Sequence, residues 1–428
     1  MDNKNNYEND WFKLDNVSKI FAPIISAHST TVFRLSVTLK EPIKVNNLQQ
    51  ALINTIKRFP YFQVYLRRGF FWYYLERTND FPNILPESKY PCEKIPVKGR
   101  KIFLFRVRSF KNRISCEFCH ILTDGMGAIN FLKTLTAEYL TLTYEKFDDW
   151  GDIIKTDSNI DPEEFEDASL KYYQDNAPHP KSLSKAFHLP FKLLKPGIYY
   201  VITGITPIDK IEKIAKEKKV TINDILLALL FDSYQEFFYN NKKYKLKKRP
   251  IRIITPINLR KLFPSKTMRN FIHILLPEID LRLGKFTFDE ILNKVHHYVR
   301  IESTKKSILP YLSRNVKGEK YPFVRIVPRF IKDLYLNFVH YMEGDRISTT
   351  SLSNLGVVKM PDKMSEYIEY FDFIPSPDPA LKCSCGVISF KDKICISFGR
   401  IIKESEIEKI FFTKLIKLGI PIKIISNY

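Results

Sequence analysis

Two kinds of periodicity alternate along both halves of this chain, and this alternation constrains its fold more than any other feature. Residues 30–39 alternate apolar and β-branched residues with polar ones, as a half-buried strand does. Residues 45–59 carry apolar positions at helical spacing and stop before a proline. Near the end, 383–390 and 394–400 predict a hairpin, and 405–418 predict a helix. Strands and helices are mixed in both halves without a short repeat, which predicts a mixed α/β fold.

The middle of the chain predicts a division into two lobes. The acidic stretch up to Asp175 and the proline-containing run after it show no clear periodicity, and a strand pattern restarts at Ile198. We therefore predict an N-terminal lobe over 1–176, a crossover linker over 177–197 and a C-terminal lobe over 198–428. A chain of 428 residues has ample room for a large core.

Composition and the first residues predict a soluble, cytoplasmic chain. Hydrophobic residues make up 44% of the sequence, which excludes a disordered chain. The longest apolar run, Ile225–Phe231, has about seven residues, against the roughly 20 that span a bilayer. The first ten residues are polar and lack the basic and apolar regions of a secretory signal. We expect the six cysteines to be reduced thiols.

The chain carries a formal net charge of +21, and its basic residues are unevenly spread. Eleven basic residues and no acid lie between Lys242 and Arg269. Such a stripe attracts phosphates, whether on coenzyme A, an acidic acyl carrier protein, an anionic membrane or nucleic acid. No nucleic-acid motif accompanies it, so nucleic acid is not an expected partner. A solvated lysine-rich loop is the alternative interpretation.

The segment Cys116–His120 has the C-x-x-C-H spacing of a haem c attachment site. Covalent haem attachment follows export, for which the sequence shows no signal, and a strand here would point the two cysteines to opposite faces. A zinc site that pooled these thiols with Cys383 and Cys385 is disfavoured, because C-x-C is not a usual ligand spacing. We therefore predict no metal and no bound cofactor.

The strongest candidate for chemistry is His120–Gly125, where a predicted strand ends and a predicted helix begins. A histidine at a strand end can project into a cleft, and a neutral imidazole can take a proton from a hydroxyl or amine. Asp124 is expected to brace the loop through a charge-assisted bond to an arginine. Gly125 is expected to permit a tight bend or a positive φ. The alternative is a histidine satisfied in a core turn.

These residues resemble the H-H-x-x-x-D-G signature of the acyltransferase superfamily that contains chloramphenicol acetyltransferase and peptide-synthetase condensation domains. Alcohol acetyltransferases and polyketide-associated acyltransferases also belong to this superfamily. Further segments of the chain resemble its alcohol-acetyltransferase-like branch. Pro256–Arg260 (PINLR) is similar to a P-V-[ND]-L-R segment, and Ser353–Gly356 (SNLG) is similar to an S-N-L-G segment. Trp11–Asp15 and Arg58–Phe62 also fit, and the pieces occur in family order along nearly the whole chain.

The resemblance implies a two-lobed fold with an active-site tunnel, which an acyl thioester and an acceptor reach from opposite sides. It implies that His120 takes the proton of the acceptor hydroxyl or amine, without a covalent acyl-enzyme. Asp124 would pair with Arg260 and shape the site. A hydrogen bond to the tetrahedral oxyanion would come from the segment that includes Ser351, Ser353 and Asn354.

The sequence departs from the family patterns in two places. Cys119 replaces the first histidine of the signature, which could alter the polarity of the site but leaves the histidine that carries the chemistry. The D-F-G-W-G element of the plant-type branch is absent, because Ile374 follows Asp372 and Phe373. This argues against a plant-type enzyme.

Three functions remain open from the sequence. The first is transfer of an acyl group from acyl-CoA, as a co-substrate, to a small alcohol or lipid acceptor. The second is a stand-alone condensation enzyme that uses an acyl chain on an acidic carrier protein. The third is a non-catalytic binding protein of the same fold. Peripheral contact with an anionic membrane is compatible with the net charge of +21.

Overall fold

The computed structural model describes residues 10–96, 101–175, 182–320, 324 and 326–428. The predicted boundary between the N-terminal lobe and the crossover, at residues 176 and 177, lies outside these ranges, as do the first nine residues. Strands and helices alternate through both halves of the described chain, and the predicted α/β class is confirmed.

Within the described residues, the strands build sheets of three, five and eight strands. In chain order they are β1 (Trp11–Lys13), β2 (Val32–Leu39), β3 (Val64–Arg68), β4 (Tyr73–Arg77), β5 (Ile84–Pro86), β6 (Phe105–Phe110), β7 (Arg113–Cys119), β8 (Tyr200–Pro207), β9 (Pro250–Asn258), β10 (Ile272–Leu275), β11 (Glu278–Asp280), β12 (Thr350–Val358), β13 (Ile368–Ile374), β14 (Cys383–Phe390), β15 (Lys393–Arg400) and β16 (Lys423–Ser426).

The helices cover the sheets. In chain order they are α1 (Asn16–Ile24), α2 (Val45–Arg58), α3 (Gly125–Thr143), α4 (Ala168–Lys171), α5 (Ile208–Glu217), α6 (Ile222–Asn240), α7 (Phe288–Glu302), α8 (Lys305–Lys320), α9 (Arg329–Glu343), α10 (Asp362–Ser365) and α11 (Glu406–Lys417). In the described part of the chain, none of them is long and apolar enough to cross a membrane.

The five-stranded sheet, ordered β13-β2-β7-β6-β5, carries the strand that leads to His120. Every residue of β2 is buried, because α3 packs against β2 and β7 while α2 packs against α3. The edge strand β13 comes from the C-terminal half of the chain and pairs antiparallel with β2. The sheet of the N-terminal lobe therefore includes residues 368–374, which the sequence did not predict.

The eight-stranded sheet, ordered β10-β9-β12-β14-β15-β8-β16 with β11 on β9, forms the centre of the C-terminal lobe. Its strands β9, β12 and β14 run parallel, whereas β14, β15, β8 and β16 are antiparallel neighbours. Strand β12 pairs with β9 at Thr350 and Ser351, and its register with β14 shifts between Asn354 and Val357. Parallel strands end at one edge of the sheet, so the segments PINLR and SNLG are brought to the same edge.

Local sequence signals set several of these elements. Capping boxes begin α6 and α7: Thr221 and Thr287 each exchange hydrogen bonds with an acid three residues on. These reciprocal bonds satisfy N–H groups that the first helical turn leaves unpaired. The predicted hairpin near the C-terminus is confirmed as β14 and β15.

Candidate active site

His120 follows directly after β7, and its backbone is held on both sides. Its N–H donates to the carbonyl of Thr31 (2.8 Å), and its carbonyl accepts from Nδ2 of Asn270 (2.8 Å). The chain then turns through Thr123 and enters α3. The position of the imidazole is therefore fixed by a strand, a helix and a residue from the other lobe.

The imidazole of His120 lies between two aromatic rings. The Phe21 ring stacks on it at 4.8 Å between centroids, and the Phe33 ring lies 4.4 Å away. Its Nδ1 is buried and lacks a well-formed hydrogen bond to the described residues. Burial lowers the pKa of His120 to about 4, although the Asp124 carboxylate and the Thr123 backbone oppose this shift. The ring is therefore neutral near pH 7 and can accept a proton.

Asp124 is the N-cap of α3, and both of its carboxylate oxygens are occupied. Its Oδ1 accepts from the N–H groups of Met126 (3.0 Å) and Gly127 (3.1 Å). Its Oδ2 accepts from the N–H of Phe271 and from Nη1 of Arg260, both at 2.8 Å. A carboxylate with this many donors positions the loop and has little capacity left to bind a substrate.

The guanidinium of Arg260 is likewise used within the protein. Besides the ion pair with Asp124, its Nε donates to the carbonyl of Thr267 (3.0 Å) and its Nη2 to that of Arg269 (2.6 Å). The structure thus brings Asp124 and Arg260 together, and their pair ties the start of α3 to the loop after β9. Such charge-assisted bonds in a buried setting fix geometry more strongly than neutral ones do.

Gly125 makes a close contact with Leu355 that the sequence did not predict. It does not adopt a positive φ, so of the two expected roles, a tight bend or a positive φ, the second is wrong. A Cβ at this position would lie 2.4 Å from Cδ2 of Leu355, the third residue of the SNLG segment. The glycine therefore leaves room for the Leu355 side chain against the first turn of α3.

Ser351 and Ser353 lie on one face of β12, because successive strand residues point to opposite sides. Leu352 between them is part of the C-terminal core, so the serines face away from it. Ser353 pairs with Gly386 of β14, where a Cβ would lie 2.6 Å from the carbonyl of Phe373. The serine face of β12 is therefore turned toward β13 and the N-terminal sheet.

A short aromatic path connects this face to His120. The Phe373 ring packs edge-on against the Phe33 ring at 6.3 Å, and Phe33 packs on the imidazole. Phe33 and Phe373 thus link His120 to the strand pair that holds Ser353.

Asn354 has a structural task that limits its use as an oxyanion donor. Its Oδ1 accepts from the N–H of Gly356 (2.8 Å), which has a φ of +78°, and its Nδ2 donates to Oδ1 of Asn223 (3.3 Å). These contacts stabilise the bulge in β12. The amide of Asn354 is therefore engaged with protein groups.

A polar network under His120 was missed from the sequence. Asp15, the N-cap of α1, accepts from the N–H of Ser18 (2.7 Å), and the Ser18 hydroxyl lies 2.8 Å from the carbonyl of Ile121. Nδ2 of Asn270 contacts Ser18 (3.0 Å) as well as the His120 carbonyl. The spacing of Asp15 and Ser18 is a cap signal that could have been found, but nothing in the sequence relates Asn270 to residues 150 positions earlier.

Cys119, at the place of the first signature histidine, points into the core. It is buried, and its Sγ lies 3.3 Å from Oγ1 of Thr31. Burial raises the pKa of its thiol, so the side chain is uncharged. Thr31 itself has a φ of +54°, which is rare for a β-branched residue.

The basic stripe Lys242–Arg269 is not one patch in the structure. Part of it is paired with acids: Arg252 with Glu278 (2.5 Å) and Lys266 with Asp161 (2.6 Å). The early part follows α6 and lines a cavity of about 540 Å³. Basic residues of this cavity are Lys185, Lys245, Lys247, Arg249, Arg346 and Lys382.

This cavity lies at the edge of the eight-stranded sheet where β9, β12 and β14 begin. Arg249, Arg346 and Lys382 come just before β9, β12 and β14, whereas Arg260 follows the carboxyl end of β9. At about 3.3 Å per strand residue, roughly 20 Å separates Arg346 from Ser353.

One group in the described part of the chain could hold a metal by geometry. The ligand atoms of His340, Asp345 and Asp378 lie within 4.8 Å of one another. His340 Nε2 is 3.2 Å from Oδ1 of Asp345. The group lies at the end of α9 and shares Asp345 with the basic cavity, apart from His120.

No protein-family model and no curated protein matches the chain. Solved structures match over nearly its whole length. TRI101 of Fusarium sporotrichioides, complexed with coenzyme A and T-2, is 10% identical with a TM-score of 0.60, covering 98% of this chain and 100% of that one. The trichothecene 15-O-acetyltransferase TRI3 of Fusarium sporotrichioides is 12% identical with a TM-score of 0.59, covering 95% and 94%.

A condensation domain shows the same likeness. That of the monacolin K polyketide synthase MokA is 11% identical with a TM-score of 0.56, covering 95% of this chain and 96% of that one. The chain therefore has the two-lobed fold that these acetyltransferase and condensation-domain structures share. The predicted resemblance to their superfamily is confirmed at the level of the fold.

Proposed function

We propose that this chain is an acyltransferase that moves an acyl group from acyl-CoA to an alcohol or amine, with His120 as the general base. The observation that carries the proposal is the state of the His120 ring. It is held between Phe21 and Phe33, and burial lowers its pKa to about 4. A neutral, fixed imidazole at the end of a strand is suited to accept the proton of an attacking nucleophile.

In the proposed reaction, Nε2 of His120 takes the proton of the acceptor hydroxyl while its oxygen attacks the thioester carbonyl. The tetrahedral oxyanion then collapses, the carbon–sulfur bond breaks, and the imidazolium returns the proton to the leaving thiolate. The acyl group passes directly from sulfur to oxygen, so no acyl-enzyme forms. We place this reaction in a tunnel between the lobes.

The other residues of the site act on geometry and charge. Asp124, Gly125 and Arg260 position the loop that carries His120. Ser353 is our candidate donor to the oxyanion, and Ser351 on the same face is the second, because Asn354 is already bonded to Asn223 and Gly356. A donor aimed at the developing charge typically contributes about 3 kcal/mol to the barrier.

Coenzyme A is the donor that we favour, since TRI101, with the same fold, is complexed with it. The lysines near 245 would then contact its phosphates. The second candidate is a stand-alone condensation enzyme, for which the same cavity would dock an acidic carrier protein. The condensation domain of MokA supports this alternative. Comparing a free CoA thioester with a carrier-bound thioester separates the two.

We expect the enzyme to act in the cytoplasm on an alcohol, including a lipid alcohol. All six cysteines are buried free thiols, which fits a reducing compartment. The acetyltransferase TRI3 acts on a hydroxyl of a trichothecene, which supports an alcohol as the acceptor class.

The experiment that tests the proposal is acceptor-dependent thiol release. The purified protein is mixed with acetyl-, butyryl- and long-chain acyl-CoA and a panel of alcohols and amines, with a thiol-reactive dye as the readout. The six buried cysteines should give a slow blank. The test variant is His120→Ala, and His297→Ala, an exposed histidine on α7, is the matched control.

Release that requires an acceptor, persists in His297→Ala and disappears in His120→Ala would support the proposal. Release that survives in His120→Ala would assign the base to another residue. Turnover with the carrier-bound thioester alone would favour the condensation enzyme. No turnover with either donor would leave the third candidate, a non-catalytic binding protein.

A further inference from the structure

Helix α9 turns a row of large apolar side chains outward. Six of its residues expose between 47% and 72% of their surface: Phe330, Ile331, Leu334, Tyr335, Phe338 and Tyr341. Their spacing of one, three or four places them on one face of the helix. Lys332, in contrast, is buried beneath the helix. The usual orientation of an amphipathic helix is therefore inverted.

The tip of the β3–β4 hairpin extends this surface. Phe70 and Phe71 at the tip are also exposed. The carbonyl of Phe70 accepts from the N–H of Arg329 (2.9 Å), and Nζ of Lys332 donates to the carbonyl of Phe71 (3.1 Å). Lys332 also lies 3.4 Å from the centre of the Trp72 ring. We call α9 and residues 69–72 together the α9 face.

Eight adjacent large apolar side chains form a patch of a kind that a monomer rarely exposes without a partner. The net charge of the molecule favours an anionic lipid surface over a second copy of this chain as the partner. With a net charge of +21, two copies of this chain repel each other, which disfavours self-association through this face. The same charge attracts an anionic lipid surface.

The charged groups around the α9 face fit this choice. Lys19 and Arg329 lie beside the aromatic side chains of the hairpin. The acids at the helix are engaged: Asp333 with Arg329 (3.4 Å) and Glu343 with Arg314 (2.9 Å). Cations that flank an aromatic and aliphatic face are the composition of a helix that lies in a membrane interface.

We propose that the α9 face docks this chain onto an anionic lipid bilayer. Helix α9 would lie parallel to the membrane, with its apolar side chains and those of the hairpin tip inserted among the acyl chains. Docking does not depend on the proposed function. It would bear on that function, however, since α9 packs against α1, whose Phe21 stacks on His120.

The test is co-sedimentation of the full chain with vesicles. Vesicles of phosphatidylcholine alone are compared with vesicles of equal parts phosphatidylcholine and phosphatidylglycerol. The test variant is Leu334→Ser/Phe338→Ser, and the matched control is Leu283→Ser/Ile416→Ser, which changes two exposed apolar residues on other elements. We expect partition onto the anionic vesicles to fall roughly tenfold for each inserted side chain removed, and the control to bind like the wild type.

Circular dichroism and the unfolding midpoint should be unchanged in both variants, because all four positions are exposed. His120→Ala should bind vesicles like the wild type, so a failed acyltransferase assay leaves this result intact. Three outcomes would overturn the proposal: no preference of the wild type for anionic vesicles, equal loss in both double variants, or a wild-type dimer that dissociates in Leu334→Ser/Phe338→Ser.

Discussion

Oδ2 of Asp124 lies 2.8 Å from Nη1 of Arg260, across 136 residues of sequence, and neither side chain is left free to bind a substrate. The pair joins the cap of α3 to the loop after β9. It therefore connects the segment that carries His120 to the C-terminal lobe.

Removing one partner of this pair should destabilise the protein and its site together. Asp124→Asn keeps the size of the side chain but leaves the Arg260 guanidinium without its counter-charge, at an expected cost of about 3 kcal/mol or more. Urea unfolding measures this cost. The exposed pair of Lys266 and Asp161 is the control, and Lys266→Ala should hardly change stability. Equal effects of the two variants would contradict a structural role for the buried pair.

The kcat/KM of the enzyme should fall at a much lower pH than it would with a histidine of ordinary pKa as the base. Protonated His120 cannot accept a proton, so activity is lost only as the pH falls through its pKa of about 4. We expect kcat/KM to stay level between about pH 8 and about pH 5.5, whereas a histidine of ordinary pKa would lose roughly tenfold over this range. A midpoint near 6.5 that persists in His297→Ala would disprove the assigned pKa.

The sequence was sufficient for the parts of the site that are set locally. The strand before His120, the helix after it and the arginine of PINLR follow from periodicity and motif. The Asn270 contact and the pairing of β13 with β2 depend on long-range packing, which leaves no local pattern. The apolar residues of α9 are spaced like a buried helix face, so their spacing predicts burial. The structure shows them exposed.

Adding one methyl group to Gly125 should force the Leu355 side chain out of its packed position. Gly125→Ala places a Cβ within 2.4 Å of Leu355, and we expect a loss of about 1–3 kcal/mol in unfolding free energy together with reduced kcat. Leu355→Ala in the same chain should recover part of the stability. Gly318→Ala, in α8 with open space around it, should be neutral or stabilising. A failure of Leu355→Ala to rescue would mean that another contact limits Gly125.

Asn270 should act on catalysis through the backbone of His120. Asn270→Ala removes the donor to the His120 carbonyl and leaves buried polar atoms unpaired, which should cost about 1–3 kcal/mol. We expect kcat to fall while KM changes little, since the base is displaced and the binding surfaces are retained. Asn47→Ala removes an exposed bond to a helix carbonyl and is the control. An increase in KM alone would contradict a positioning role.

The three candidate oxyanion donors predict different kinetics. Ser353→Ala should lower kcat by about 100-fold with unchanged stability, if its hydroxyl meets the developing charge. Ser351→Ala should have a smaller effect, and Asn354→Ala should mainly lower stability by releasing the bulge at Gly356. Steady-state kinetics and thermal melts of the three variants decide among them. A large kcat effect in Asn354→Ala alone would reverse the assignment.

The pairing of β13 with β2 has a consequence for how this chain is made. Residues 368–374 complete the edge of a sheet whose other strands end at residue 119. During synthesis on the ribosome, the first lobe must therefore wait, with the edge of β2 uncovered, until more than 250 further residues have been added. A fragment that stops before residue 368 should lack a finished first lobe and aggregate through that edge.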